Sequence, residues 1–180
     1  TTTPNYAAGY TIIDISAGID TTTETVYTDG GVFDNITVPG DGGVAALGRR
    51  LWVASGLVAY ASKFLAPGVA PAFNDEGQLQ VSLPASAGRI IALEAFDDKL
   101  LVLCSQGVYV VQDGGPDNTG VGGDFGTPLR VSDLAIAGPR ASCLTDIGIV
   151  FFAQPVSAYP TRGGPWVVDR QFTFTERQYL

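Results

Sequence analysis

The chain has 180 residues and a net charge of −8, and 46% of its residues are apolar while 16% are charged. This apolar content excludes a disordered chain, and the acidic balance argues against a protein that grips nucleic acid through Lys and Arg. The sequence has no His, which removes the commonest general base and metal ligand, so we expect a non-enzymatic protein without cofactor or metal. No apolar run reaches the roughly 20 residues that cross a bilayer, so no membrane segment is expected.

The first predicted elements are two strands, YTIIDISAG and TETVYTDGG, which a Thr-rich connection separates. We assign residues 1–38 to an N-terminal β segment, either an incoming segment or part of another domain. The chain contains no Met and stops without an obvious terminating element. We therefore expect it to be part of a larger, multidomain protein.

A hairpin-like pattern then recurs along the chain, with an apolar anchor, a polar or Gly-containing turn and a strongly apolar strand. We align Leu47–Ser55 with Phe96–Cys104 and with Leu144–Phe152, at offsets of 49 and 48 residues. The strand GVYVV at Gly107–Val111 follows the second hairpin, so three successive strands result. We predict about three repeats in residues 39–180, with approximate units 39–88, 89–138 and 139–180.

A period near 50 residues with three or four short antiparallel strands per unit is typical of propeller blades. The predicted fold is therefore all-β, with β-propeller-like blades. A meandering β-sandwich also yields hairpins at regular spacing, and this alternative stays open. A closed propeller needs at least about four blades, more than the three that the sequence suggests.

Paired carboxylates are the one constellation in the sequence that suits catalysis, since they serve glycosidases. The candidates are Asp97 with Asp98, Asp75 with Glu76, and Glu94. Asp97 and Asp98 fall where a hairpin turn is predicted, and neighbouring side chains on a strand point to opposite faces. We favour a turn over an acid pair.

The stretch DGGPDNTGVGGDF, residues 113–125, cannot form a regular strand because it has five Gly and one Pro. Its oxygen-bearing side chains would suit a hard cation, but their spacing matches no known calcium loop, so we favour Asx turns in a long loop. The strand TPLRV rather than a helix follows the glycines, which argues against a phosphate site. Because propeller loops carry contacts, we predict an assembly loop that meets a neighbouring subunit. Its candidate residues are Asp113, Pro116, Asp117, Asn118, Asp124 and Phe125.

Other conspicuous side chains are predicted to serve packing. The aromatic residues Trp52, Tyr60, Tyr109 and Trp166 lie in apolar stretches, where core packing is favoured over a sugar-stacking platform. The cysteines, Cys104 and Cys143, also lie in such stretches, and we expect both to be buried free thiols.

The runs YTDGGVFDNITVP, RRLWVAS, FNDEGQLQV, GRIIALEAFDDKLLVLCSQGVYVVQDGGPDNTGVGGDF, TPLRVSD and GPRASCLTDIGIVFFAQ follow one another from about Tyr27 to about Gln154. In order and spacing they resemble the propeller-bearing tail nozzle proteins of short-tailed bacteriophages. The segment from IIALEAF to GGDF is the most specific part. After Gln154 the expected strand-turn-strand gives way to PVSAYPTRGGPWVVDRQ, so we predict either an insertion or a lineage-specific loop at residues 155–165.

The resemblance implies a structural virion protein located in the viral tail. It implies copies arranged as a ring, usually a hexamer, that contact the tail adaptor and other tail proteins and enclose the channel for DNA ejection. The genomic DNA would pass without specific binding, and an acidic wall would weakly repel it. The alternative function is a carbohydrate- or receptor-binding propeller domain of a tail or surface protein.

Overall fold

The computed structural model describes residues 35–36, 38, 40–68, 70–74, 77–112, 114–156 and 163–177. Within these ranges the regular structure consists of β-strands and two short 3-10 helices, Gly77–Leu79 and Ala85–Ala87, so the prediction of an all-β fold is confirmed. Most of the predicted N-terminal segment, residues 1–34, lies outside the described residues. Its described end forms β1 (Asn35–Ile36), which pairs with β5 (Phe73–Asn74).

Three antiparallel sheets follow one another along the chain. Sheet 1 contains β2 (Val44–Leu47), β3 (Arg50–Ser55), β4 (Val58–Ala61) and β6 (Gln80–Ser82), in that spatial order. Sheet 2 contains β7 (Ile90–Phe96), β8 (Lys99–Cys104), β9 (Gly107–Gln112) and β10 (Leu129–Ser132), again in chain order. Each of these sheets is thus a meander of sequential strands.

Sheet 3 has the same plan with an interrupted first strand. Its strands are β11 (Ala135–Ile136), β12 (Ser142–Thr145), β13 (Gly148–Gln154), β14 (Gly164–Val168) and β15 (Phe174–Glu176). Both β11 and β12 pair with β13, at different points along its length. Between β13 and β14 the connection spans residues 155–163, where sheets 1 and 2 use two-residue turns. The predicted insertion after Gln154 therefore lengthens a hairpin loop, although residues 157–162 lie outside the described residues.

The first hairpin of each sheet begins the repeating unit. At its turn Leu47 pairs with Arg50, Phe96 with Lys99, and Thr145 with Gly148, so successive turns are 49 residues apart. The sequence alignment that began the third unit at Leu144 was wrong by one residue. In a strand, such a shift moves every side chain to the opposite face of the sheet.

Two of these three turns contain residues with positive φ, which two-residue hairpin turns favour. In sheet 1 the turn residues Gly48 and Arg49 have φ of 60° and 63°. In sheet 2 Asp97 has φ of 56°, which Asp accepts more readily than most residues. The prediction that Asp97 and Asp98 form a turn is confirmed.

Sheet 2 is covered on both faces, because sheet 1 packs on one side and sheet 3 on the other. Alternate residues of β8 divide between the two cores: Leu100, Val102 and Cys104 face sheet 1, while Leu101 and Leu103 face sheet 3. All five are fully buried. A strand with two covered faces must be apolar at every position, which explains the continuous run LLVLC.

The sheets approach most closely at their first two strands. The strands β2 and β3 lie against β7, and β12 and β13 lie against the same strand. A Cβ atom at Gly43, just before β2, would be 2.2 Å from the backbone nitrogen of Leu93 in β7. Glycine is therefore required for the backbones to meet at this point.

Candidate functional site

The predicted assembly loop connects β9 to β10 and is irregular in its described part, residues 114–128. The structure buries two of its candidate residues, Pro116 and Phe125, and leaves Asp117 and Asp124 exposed. Asn118 is half-buried. Asp113 lies outside the described residues. The loop thus has an apolar base and a polar tip.

Asp117 organises the tip of the loop. Its Oδ1 accepts hydrogen bonds from the Thr119 hydroxyl at 2.7 Å, the Thr119 backbone N–H at 2.8 Å and the Val121 backbone N–H at 3.1 Å. The hydroxyl bond, followed by the two backbone bonds, holds the pKa of Asp117 below its usual value. At the other end of the loop, Asp124 Oδ1 accepts from the Gly126 N–H at 2.7 Å. The prediction of Asx turns is confirmed.

These acids do not converge on a common point that would hold a cation. Among the residues that the structure describes, no group of three or more Cys, Asp or Glu side chains is arranged to bind a metal ion. The carboxylates of Asp117 and Asp124 each bond instead to backbone N–H groups within the loop. The two carboxylates therefore stabilise the conformation of the loop.

The base of the loop is attached to sheet 1, which the sequence did not predict. Arg50, at the start of β3, donates a hydrogen bond to the carbonyl of Pro116. The backbone N–H of Phe64 donates to Asn118 Oδ1 at 2.6 Å. The ring of Phe125 packs edge-on against Trp52, with ring centroids 4.6 Å apart. Three candidate residues of the loop therefore contact sheet 1 or the segment that follows β4.

Arg50 is the centre of this attachment. It is 1% exposed, and its Nη1 donates to the carbonyl oxygen of Ser62 at 2.6 Å. Its guanidinium carbon lies 3.9 Å from the centroid of the Phe64 ring and 5.9 Å from that of Phe125. A planar guanidinium can donate in several directions and stack on an aromatic ring at once, which an ammonium cannot. One signal in the sequence pointed here: Arg50 lies on the same face of β3 as the buried Trp52.

Two open clefts flank the end of the loop. The larger has a volume of about 500 Å³ and lies between the loop and sheet 1. The smaller, of about 300 Å³, lies on the side of Gln112. The larger cleft is lined by Gln78, Gln80, Val81, Asp124, Phe125, Gly126 and Thr127. Amide, carboxylate and hydroxyl groups in such a cleft can exchange hydrogen bonds with a polar ligand.

The carboxylates considered for glycoside hydrolysis are dispersed. Asp97 pairs with Arg170 at 3.3 Å, and Asp98 pairs with Lys99, whose hydrogen bond lowers the pKa of Asp98. Glu94 lies between sheets 2 and 3, where its Oε1 accepts from the Ser142 hydroxyl at 2.7 Å. Asp75 and Glu76 lie outside the described residues. Asp97, Asp98 and Glu94 therefore each have a structural partner.

Three of the four aromatic residues that were predicted to serve packing do so. Trp52 and Tyr109 are buried between sheets 1 and 2, and Trp166 packs against the core between sheets 2 and 3. Tyr60 is half-buried on the outer face of sheet 1, opposite Val53. The prediction of packing rather than a sugar-stacking platform is therefore confirmed for Trp52, Tyr109 and Trp166.

The cysteines differ from each other. Cys104 is a buried free thiol, as predicted, and burial raises its pKa to about 12. Cys143 is exposed, so its predicted burial was wrong. In β12 it pairs with Val150 on the outer face of sheet 3, which sheet 2 does not cover. The apolar neighbours of Cys143 in the sequence did not indicate which face of β12 would be exposed to solvent.

No protein-family model matches the chain, and comparison with curated protein sequences finds no significant match. Within the described ranges, the structure contains no helix that is long and apolar enough to span a membrane.

Proposed function

We propose that the chain is a structural virion protein, a component of the tail nozzle that forms a ring around the DNA exit channel of a short-tailed bacteriophage. One observation carries the proposal: the segment that resembles nozzle proteins, from about Tyr27 to about Gln154, includes the repeating hairpins that define all three sheets. Both the resemblance and the repeat therefore concern the same part of the chain.

The three sheets are proposed to be propeller blades. Each is an antiparallel meander, successive first turns are 49 residues apart, and the middle sheet packs on its neighbours through both faces. Because the first two strands make the closest contacts between sheets, these strands would lie nearest the propeller axis. A unit of this size agrees with the roughly 40–50 residues of known propeller repeats.

The net charge of −8 supports a channel through which DNA passes without binding. A wall of like charge repels the phosphate backbone, so the polyanion finds no lasting contact. Replacing acids that line the channel with Lys is expected to slow genome ejection. Ejection kinetics unchanged by these substitutions would remove this part of the proposal.

The loop tip is proposed to contact a neighbouring subunit or another tail protein. Its base, which includes Asn118, is needed for packing, whereas residues 119–123 hydrogen-bond to Asp117 and include the exposed positions 121–123. Replacing residues 119–123 with a short Gly-Ser linker should impair tail assembly while circular dichroism of the isolated chain stays unchanged. Substitution of Leu129, which is exposed in the adjoining strand, by Ser is the matched control. Normal assembly of the shortened variant would contradict a role for the tip.

The location can be tested on purified virions. Antibodies raised against the chain should label the tail end in immunogold electron microscopy, and mass spectrometry should detect the chain at a constant stoichiometry to the tail adaptor. Labelling of fibres or of the capsid alone would contradict a nozzle.

A carbohydrate- or receptor-binding function is the second candidate, because the cleft of about 500 Å³ beside Phe125 carries Gln78, Gln80, Asp124 and Thr127. Amides and carboxylates can form paired hydrogen bonds with neighbouring hydroxyl groups. Binding of host surface glycans that is lost in Gln80→Ala, with folding intact, would favour this function over a purely structural one.

A further inference from the structure

The strand β6 is the outer edge of sheet 1, and among the described residues it pairs with β4 alone. The backbone N–H of Leu83 donates to the carbonyl of Leu57 at 2.9 Å. In an antiparallel ladder hydrogen-bonded pairs alternate with non-bonded ones, so the backbone of Val81 also bonds to β4. The carbonyl of Gln80 and the N–H and carbonyl of Ser82 therefore point away from β4, toward the open edge.

A cleft borders this open edge. It is the cleft of about 500 Å³ described above, lined by Gln80 and Val81 of β6 on one side and by Asp124, Phe125 and Thr127 of the loop on the other. Val81 and Phe125 are buried members of the core between sheets 1 and 2, so they give the cleft an apolar floor. The edge of β6 thus adjoins a concave surface with a wall supplied by sheet 2.

The cleft has a negative charge that its own lining does not balance. Asp124 is exposed and is the one charged side chain among the described lining residues. Its Oδ1 accepts a hydrogen bond from the Gly126 N–H at 2.7 Å, and a carboxylate can accept several more. The amides of Gln78 and Gln80 and the hydroxyl of Thr127 are neutral. A basic side chain is therefore the complementary group for a ligand of this cleft.

We propose that the open edge of β6 and this cleft bind an extended segment of a partner protein, which adds a strand to sheet 1 and carries a Lys or Arg. The outward backbone groups of Gln80 and Ser82 would supply the hydrogen bonds of strand addition. Alternate side chains of a strand face the same side. An apolar residue over Val81 and Phe125 would therefore lie two positions from a basic residue directed at Asp124. This inference goes beyond the proposed function and is independent of a location in the tail.

The open backbone edge favours a peptide over a glycan in this cleft. A glycan could exchange hydrogen bonds with the amides, the carboxylate and the hydroxyl of the lining. It has no row of N–H and C=O groups that would match those of an edge strand. An unpaired strand edge is instead a template for another extended chain.

The first test uses synthetic peptides and the 180-residue chain in calorimetric titrations. The probe is the blocked hexapeptide SVTKTS, in which Val and Lys are two positions apart. It should bind with a dissociation constant below about 1 mM. The same peptide with N-methyl groups on the central Thr and Lys should bind about tenfold more weakly, because it has lost backbone donors. The peptide with Glu in place of Lys should bind about fivefold more weakly.

Three variants of the chain locate the binding. Asp124→Asn keeps an oxygen for the Gly126 N–H but removes the charge, so it should abolish the preference for Lys over Glu in the peptide. Asp146→Asn, at an exposed acid in the first turn of sheet 3, changes the net charge equally and is the matched control. Ser82→Pro removes an outward N–H without breaking a bond to β4, which edge strands tolerate. It should weaken binding about tenfold.

Circular dichroism establishes that each variant is folded, and the N-methylated peptide tests strand addition even where Ser82→Pro fails to fold. Three results would overturn the proposal: no saturable binding of SVTKTS, equal binding of the N-methylated peptide, or a Lys preference that survives in Asp124→Asn. Binding of maltohexaose that is lost in Gln80→Ala, without binding of the peptide, would assign the cleft to a glycan instead.

These outcomes are separate from those for the tail. Peptide binding by a chain that is absent from virion tails would leave the strand-addition site and remove the nozzle. Nozzle density together with no peptide binding would do the reverse.

Discussion

Phe125 is expected to be the apolar residue that holds the loop between β9 and β10 against sheet 1. It is 4% exposed and packs on Trp52 at a centroid distance of 4.6 Å. A buried aromatic side chain removes roughly 150–250 Å² from water, which corresponds to about 4–6 kcal/mol at about 25 cal/mol per Å². Because a loop can partly collapse into the space left behind, Phe125→Ala should lower the free energy of unfolding by about 3 kcal/mol, the lower end for buried Phe→Ala changes.

Urea denaturation of the isolated chain, followed by tryptophan fluorescence, measures this loss. The native emission should also shift to longer wavelength, because removal of the ring opens Trp52 to solvent. Val121→Ala, in the same loop but 64% exposed, should change the free energy of unfolding by less than about 0.5 kcal/mol. A Phe125→Ala variant as stable as the wild type, or a Val121→Ala variant equally destabilised, would refute the role assigned to the loop base.

Three further predictions concern polar and ionisable groups. Arg50→Lys should lower the free energy of unfolding by about 2 kcal/mol in the same urea experiment. An ammonium group cannot keep the contacts with the Ser62 and Pro116 carbonyls together with the stacking on the Phe64 ring. An unchanged urea midpoint would contradict this prediction. At pH 8 a thiol reagent should modify Cys143 but not Cys104 in the folded chain, because burial raises the pKa of Cys104 to about 12. Modification of both thiols before unfolding would contradict the burial of Cys104. Asp117→Asn should be less stable than the wild type at neutral pH. The folded pKa of Asp117 is lowered, so its stabilisation exists above the unfolded value of about 3.9 and is lost as pH falls through the folded pKa. A stability difference that does not shrink between pH 5 and pH 2 would contradict the charge-based cause.

The strands and turns of the repeat could be predicted because they depend on local patterns. An apolar strand such as LLVLC, followed by a turn and GVYVV, shows its secondary structure directly. In the structure this continuous apolar run corresponds to burial of β8 on both faces. All-β architecture and the turn at Asp97 followed from the same information.

Register and exposure could not be predicted in the same way. The sequence alignment placed the third unit one residue too early because it matched the apolar Leu144 to Leu47 and Phe96. In the structure the polar Thr145, which pairs with Gly148, occupies that position. The exposure of Cys143 depends on whether another sheet covers that face of sheet 3. Such packing is a property of the assembled sheets rather than of a nine-residue pattern.

The attachment of the assembly loop was missed for a related reason. Arg50 and Pro116 are 66 residues apart, and nothing near Arg50 in the sequence indicates a partner beyond sheet 1. A charged residue on the buried face of a strand was the one available signal. It indicates that a partner exists without identifying it.

The central claim is that this chain forms propeller blades in the tail nozzle. The most direct test is a cryo-electron microscopy reconstruction of the tail of the virion that contains the chain. We predict density for three successive antiparallel sheets, two of four strands and one of five, arranged around the axial channel below the adaptor and repeated with ring symmetry. Density for the chain only in peripheral fibres, or its absence from the tail, would contradict the claim.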